Sequence, residues 1–128
     1  MKNVIILILF LAASIVQGAT WYIAPSGVDT NAGTIGSPYR TINKGLASAN
    51  PGDTIQVDAG DYPGNVTTVR SGTSVAPITI QGAGITTVSR SFNCDHDWIV
   101  VNDMKWSGGW FFYVNSNNCT IEDCTSDL

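Results

Sequence analysis

The 128-residue sequence predicts an all-β solenoid, a parallel β-helix, and two observations carry this prediction. Short runs rich in β-branched residues recur at 54–57, 78–80, 99–101 and 119–121, in steps of 23, 21 and 20 residues. A repeat of about 20 residues with its strands in one column is typical of solenoids. The residues after each run are mostly polar or small, as sharp corners require. The alternative is a β-sandwich of evenly spaced strands, which would have no reason to repeat the corner.

Aligning the runs predicts which side chains face inward, because successive residues of a strand point to opposite faces. The two inward columns are predicted to hold Ile55, Ile78, Ile99 and Cys119, and then Val57, Ile80, Val101 and Ile121. The outward column is predicted to hold Gln56, Thr79, Val100 and Thr120. The corners that follow are predicted to stack as Asp58, Gln81, Asn102 and Glu122, and then as Ala59, Gly82, Asp103 and Asp123.

One helix is predicted, from Thr41 to about Ala49. Its apolar residues Ile42, Leu46 and Ala49 fall on one face, and the Pro-Gly pair at 51–52 ends it. A solenoid exposes an apolar cross-section and unpaired strand edges at its first turn. We therefore expect this helix to cap the N-terminal end, and a partner-binding helix is the alternative.

The stretch from Trp21 to Tyr62 contains a series of short motifs in a fixed order. They are an aromatic strand, a G-x-D-x-N-x-G-T loop, S-P-Y-x-T-I before the helix, P-G-D-T-I-x-V at the first run and G-x-Y after it. Their residues are Gly27, Asp29, Asn31, Gly33 and Thr34; Ser37, Pro38, Tyr39, Thr41 and Ile42; Pro51, Gly52, Asp53, Thr54, Ile55 and Val57; Gly60 and Tyr62. The stretch resembles the N-terminal entry of a secreted right-handed parallel β-helix of the pectate-lyase-like superfamily. The resemblance implies the fold but not the chemistry, because the superfamily contains lyases, hydrolases, epimerases and non-enzymatic adhesins.

Residues 1–18 are predicted to be a secretory signal peptide. A short basic start is followed by an apolar run from Val4 to Ala13, and Val16 and Gly18 stand at the −3 and −1 positions of a cleavage after Gly18. A membrane anchor is the alternative, but the run is short for a span, and we expect none after signal removal. Residues 19–128 are then the cap and first turns of a β-helix domain, and the location is extracellular or at the cell surface.

No cap is recognisable at the C-terminal end of the sequence. We expect the chain to be the N-terminal part of a longer β-helix, incomplete at its C-terminus. If these residues were the whole protein, the open last turn would favour self-association through its strand edges.

The formal net charge of −4 argues against a nucleic-acid partner, which requires a basic stripe. It also makes unaided binding of an anionic polymer unfavourable. The three cysteines Cys94, Cys119 and Cys124 allow at most one intramolecular disulfide. Cys119 and Cys124 are predicted to be small apolar residues of the core, and a Cys119–Cys124 bridge is the alternative.

Three groups of residues are candidates for a site. Asp103 and Asp123 should be neighbours on stacked turns, where two carboxylates could bind calcium; otherwise they are solvated corner residues. Trp106 and Trp110 could stack on sugar rings if exposed; otherwise they fill the core. Residues 94–98, Cys-Asp-His-Asp-Trp, could position a general base at His96, but a polar loop before the next strand explains them as well.

The chemistry of the chain is less readable than its fold. The resemblance implies that a lyase would need a Lys or Arg base and calcium on carboxylates, on outward faces of central turns. The predicted outward column has neither acid nor base, so the catalytic residues of a lyase or glycoside hydrolase would lie outside this chain. We predict a secreted protein that binds polysaccharide and, within a longer chain, degrades it. The alternatives are a non-catalytic, adhesin-like surface β-helix and a non-functional fragment.

Overall fold

Parallel strands dominate the structure, a computed structural model that describes residues 17–88, 91–107 and 112–127. The elements are β1 (Thr20–Ile23), α1 (Ile42–Ser48), β2 (Thr54–Val57), β3 (Gly60–Tyr62), β4 (Val66–Thr67), β5 (Ile78–Val88), β6 (Phe92–Cys94), β7 (Ile99–Ser107), β8 (Phe112–Val114), β9 (Cys119–Glu122) and β10 (Thr125–Asp127). The predicted signal peptide lies almost wholly outside the described residues. None of the helices described is long and apolar enough to cross a membrane.

The strands stack in three rows, which is the geometry of a solenoid. One sheet runs β1-β2-β5-β7-β10, with β3 also paired to β5 and β9 also paired to β7; the other runs β4-β6-β8. The pairing of β5 with β7 shifts between Gln81 and Thr86, so each long strand contributes to two rows. The first half of β5 pairs with β2 and its second half pairs with β3. All of these strand pairs are parallel, as predicted.

The predicted register is confirmed for the later turns and wrong for the first step. Ile78 pairs with Ile99, and Ile99 pairs with Cys119, as the alignment predicts. Ile55, however, pairs with Ile80 rather than with Ile78. The slip is two residues, which keeps every side chain on its own face of the sheet, so the alternating pattern could not reveal it.

The slip changes the members of the outward and corner columns. Gln56 pairs with Gln81 and leaves the predicted column of Thr79, Val100 and Thr120, where Thr54 takes its place. Asp58 accordingly does not stack on the Gln81 corner. The assignment of inward and outward faces survives, since Ile55 and Val57 are fully buried.

The predicted helix is confirmed almost to the residue. The Thr41 hydroxyl caps its start by accepting a bond from the Lys44 amide at 3.2 Å. Ile42, Leu46 and Ala49 are all buried, as the apolar face requires. The helix contacts β1, β2 and β4. It packs so closely that a Cβ at Gly45 would lie 2.8 Å from the end of the Ile23 side chain, which would have to shift to admit it.

The core runs through the inside of the stack and thins towards the last described turn. Fully buried side chains include those of Ile23, Leu46, Ile80, Phe92 and Ile99. Ile121 is predicted to face inward, yet it is 37% exposed. Within the described residues its strand, β9, pairs only with β7. The side chain therefore lacks a covering turn.

Candidate functional site

The aspartate of the G-x-D-x-N-x-G-T loop is a structural acceptor. One carboxylate oxygen of Asp29 accepts bonds from the backbone amides of Arg40 and Thr41, both at 2.9 Å, and the other accepts from the Thr41 hydroxyl at 2.7 Å. Burial raises the pKa of Asp29, but these hydrogen bonds outweigh it and the net pKa is lowered. Asp29 thus ties the loop to the start of α1 as a carboxylate.

The aspartate of P-G-D-T-I-x-V has a similar role and is more deeply buried. Asp53 is 5% exposed. Its carboxylate accepts from the backbone amides of Ala19 at 2.7 Å and Asn50 at 2.9 Å, and from the Trp21 indole at 3.0 Å. Burial raises the pKa of Asp53, and the hydrogen bonds more than offset this, so the pKa is lowered. Both motif aspartates therefore act as structural hydrogen-bond acceptors at this end of the coil.

A row of outward-facing side chains crosses the stacked turns, and we call it the amide row because its three middle members are amides. Tyr22, Gln56, Gln81, Asn102 and Glu122 pair in register from β1 to β9. The Gln56 amide donates to the Gln81 backbone carbonyl at 3.3 Å, and the Asn102 amide donates to the Gln81 side-chain carbonyl at 3.2 Å. The hydrogen bonds of this amide row link neighbouring turns. Its one ionisable carboxylate is Glu122, at the last described turn.

The two candidate calcium ligands lie at equivalent corners of adjacent turns. Asn102 pairs with Glu122, so Asp103 and Asp123 are the next residues of two stacked strands. Both adopt left-handed backbone conformations, with φ of 51° and 49°. Their repetition confirms the corner that the sequence predicts. Asp103 already accepts a bond from the Gln81 amide at 2.7 Å.

The described residues contain no group of three or more His, Cys, Asp or Glu side chains that could hold a metal ion. The carboxylates of Asp103 and Asp123 could supply two oxygen ligands, and calcium takes six to eight. The remaining ligands would be carbonyl oxygens, water or a substrate. Calcium at this corner therefore stays a prediction.

The structure buries one of the two candidate tryptophans. Trp106 is 2% exposed and packs edge-on against Phe112, with ring centroids 4.6 Å apart. It fills the core, which was the alternative interpretation, and offers no ring face to a sugar. Trp110 lies outside the described residues.

Trp98 is the exposed indole that the sequence did not single out. It is 37% exposed and has a φ of 59°, a conformation that is costly for a bulky residue. Its amide donates to the Asn118 carbonyl at 2.7 Å, and its carbonyl accepts from the Ile78 amide at 3.0 Å. These bonds to two neighbouring turns fix the backbone from which the exposed ring projects. The sequence signal that could have identified Trp98 is its position in a loop that contains Asp and Asn. Its positive φ could not be predicted from the sequence.

The loop that carries His96 does not assemble a catalytic dyad. The imidazole Nδ1 lies 2.9 Å from the hydroxyl of Thr68, which is itself 2% exposed. The flanking carboxylates turn elsewhere, since Asp95 accepts from the Asn115 side chain and Asp97 from the Asn117 amide, both at 2.8 Å. The polar-loop interpretation fits these contacts.

The three cysteines are free thiols, with Cys94 buried and Cys119 and Cys124 half-buried, and no Cys119–Cys124 bridge forms. The thiols of Cys94 and Cys119 are hydrogen-bonded to each other, whereas the Cys124 sulfur contacts the Glu122 carbonyl at 3.1 Å. The bond from Cys119 lowers the pKa of Cys94 to about 7. The same bond, together with burial, raises the pKa of Cys119.

A small cavity lies beside the start of α1. It measures about 220 Å³, and Arg40, Asn43, Tyr62 and Asn65 are among its lining residues. The Arg40 guanidinium lies 5.6 Å from the centre of the Tyr62 ring. The volume is below the roughly 300–1,000 Å³ of most small-molecule sites.

The chain is similar to a family model, to a curated protein and to solved structures. Residues 25–80 match a family model described as a protein of unknown function, DUF1565. The chain is 35% identical over 68 residues to pectate lyase PEL9 of Emericella nidulans, a match covering 52% of this chain and 17% of that protein. Among solved structures, it resembles a rhamnogalacturonan lyase with a TM-score of 0.72 at 18% identity, covering 85% of this chain and 36% of that one. It also resembles XylC in complex with xylose, with a TM-score of 0.51 at 34% identity, covering 56% of this chain and 11% of that one.

The chain resembles pectate-lyase-like β-helix proteins. It spans only a fraction of each of these relatives, 17% of the curated lyase and 36% and 11% of the two solved chains.

Proposed function

We propose that this chain is the N-terminal part of an exported β-helix protein that binds polysaccharide and, with residues outside this chain, degrades it. The 35% identity to a pectate lyase over 68 residues carries the proposal. The secretory signal read at residues 1–18 supports export to the cell surface or beyond. Helix α1 would cover the first turn, and the coil would be right-handed, as parallel crossovers almost always are.

Within this chain, Trp98 is the proposed sugar contact. Its indole is exposed, and its backbone is fixed by hydrogen bonds to two adjacent turns. A flat ring with few rotatable bonds on a fixed backbone can stack on the apolar face of a sugar. Trp110 remains a second predicted contact.

Calcium is proposed to mediate binding when the polysaccharide is acidic. The chain carries a formal charge of −4, which repels a polyuronate. A cation between the corner residues Asp103 and Asp123 and a uronate carboxylate would remove that repulsion and complete its oxygen coordination.

The test is a binding assay of the purified chain on immobilised polygalacturonate, rhamnogalacturonan and xylan, each with calcium and with a chelator. We expect Trp98→Ala to weaken binding about tenfold, equivalent to about 1.4 kcal/mol, and Trp98→Phe to retain most of it. Joint Asp103→Asn and Asp123→Asn changes should remove the calcium dependence and leave binding of neutral xylan unchanged. Absence of binding by the unmodified chain to all three polymers would refute the proposal for this segment.

A non-catalytic surface β-helix is the second candidate, and the amide row favours it. Gln56, Gln81 and Asn102 bond to the neighbouring turn rather than presenting an acid or a base. The longer native protein distinguishes the two, because a lyase releases unsaturated uronides whose ultraviolet absorbance can be followed. Binding without such product would favour the surface protein.

Self-association is proposed only for the chain as it stands alone. Val114 on β8 and Ile121 on β9, the last described strands of their rows, are 45% and 37% exposed. Sedimentation over a range of concentrations tests this, and a monomer at all concentrations would contradict it.

A further inference from the structure

We infer that removal of the leader after Gly18 gives the buried Asp53 carboxylate a cationic hydrogen-bond partner, the α-ammonium of Ala19. The Ala19 nitrogen already lies 2.7 Å from one oxygen of Asp53. Hydrolysis of the Gly18–Ala19 peptide by a leader peptidase and water leaves a carboxylate on Gly18 and an ammonium on Ala19. The neutral hydrogen bond would thereby become an ion pair at the same position.

Among the described residues, no cation is hydrogen-bonded to Asp53, so the ammonium would add a charged donor to a carboxylate that its neutral donors already stabilise. The side chain is 5% exposed, and its three hydrogen-bond donors are two backbone amides and an indole, all uncharged. Arg70 acts on it only at a distance, because its guanidinium bonds to the Asn50 side chain and the Ala47 carbonyl. A buried carboxylate without a cationic partner is costly, whereas a charge-assisted bond is about twice as strong as a neutral one.

Ala19 is also well placed to begin a mature chain. Its carbonyl accepts from the Thr54 amide at 2.9 Å, so the residue is held at both its nitrogen and its carbonyl oxygen. The first strand begins one residue later, at Thr20. Val16 and Gly18 occupy the −3 and −1 positions of this cleavage. The predicted cleavage site is therefore the peptide bond directly before Ala19, the residue whose nitrogen bonds to Asp53.

The first test is to express the full chain in a secreting host and to determine the N-terminal residue of the product. We expect Ala19. Retention of the leader, or a start at any other residue, overturns the inference. The result does not depend on carbohydrate binding, so it stands or fails separately from that part of the proposed function.

The second test is a double-mutant cycle on chains that begin at Ala19. N-terminal acetylation is the matched control, since it removes the charge, keeps the N–H donor and places an acetyl group where the Gly18 carbonyl and Cα lie. We expect acetylation to lower the melting temperature by about 5 °C with Asp53 present and by less than about 1 °C with Asp53→Asn. No shift, or equal shifts in both backgrounds, would overturn the ion pair.

A third measurement needs no variant, in case Asp53→Asn fails to fold. The α-amino group of Ala19 should react more slowly with an amine-acylating reagent in the folded chain than in the urea-unfolded chain at the same pH, after correction with a free alanyl peptide in each solvent. Equal corrected rates would contradict an ammonium held by a buried carboxylate.

Discussion

Removal of the Asp29 side chain tests whether the entry motif is structural. Asp29→Ala leaves three donors without their acceptor, namely the amides of Arg40 and Thr41 and the Thr41 hydroxyl. At about 1 kcal/mol for each bond, the lower end of the range because the carboxylate is partly exposed, the loss is about 3 kcal/mol. This is a large share of the 5–15 kcal/mol that stabilises most domains.

Asp29→Asn separates geometry from charge. Asparagine keeps an oxygen for the two backbone amides and replaces the other oxygen with a donor that faces the Thr41 hydroxyl. We expect a loss of about 1 kcal/mol near neutral pH. Because the pKa of Asp29 is lowered in the folded state, its contribution is present above the unfolded value of 3.8 and is lost as the pH falls through the folded value. The difference between the chains should therefore shrink below about pH 4.

Urea unfolding followed by tryptophan fluorescence, at neutral pH and at several values below pH 4, measures both effects. Asp61→Ala is the control, because Asp61 is an exposed carboxylate on β3. It should change stability by less than about 0.5 kcal/mol. A cost below about 1 kcal/mol for Asp29→Ala, or an Asp29→Asn difference that grows with acidity, would refute a structural role for this aspartate.

Two further predictions follow from the packing of glycines and thiols. Gly33→Ala should cost at least about 2 kcal/mol in urea unfolding, since Gly33 has a φ of 75° and a Cβ there would lie 2.5 Å from an aromatic ring. Gly36→Ala, where nothing lies within 4 Å, should cost little, and equal losses would contradict the argument. Mild oxidation with glutathione disulfide should join Cys94 to Cys119, whose thiols are in contact, and peptide mapping that found Cys119 joined to Cys124 would overturn this.

Much of the fold was predictable because solenoid constraints are local and repeat. Alternation assigned the buried faces of the strands correctly, and the positions of Ile42 and Leu46 fixed the helix and its packing face. The register of the first step was wrong because a slip of two residues preserves the alternation, leaving Ile55 beside Ile80. The choice between such registers depends on the lengths of the loops and on how the corners close, which a pattern of apolar residues does not encode.

The candidate site was less predictable, since exposure is a property of the whole stack. Trp106 and Trp98 are the same residue type a few positions apart, yet one lies under Phe112 in the core and the other stands at the surface on a left-handed backbone. Local sequence cannot distinguish them, because what covers a ring is the set of side chains that the folded coil brings over it. The corner pair Asp103 and Asp123 was placed correctly because it repeats with the strands.

By itself, the sequence determined the parallel β-helix, the inward and outward faces of its strands and the capped helix, all of which follow from periodicity and short motifs. Only the tertiary structure decided that Asp53 is a buried acceptor for Ala19 and that Cys94, rather than Cys124, meets the Cys119 thiol. These pairs are 34 and 25 residues apart in the sequence. Stacking turns bring such residues together through space, and the exact register of each turn decides which of them touch.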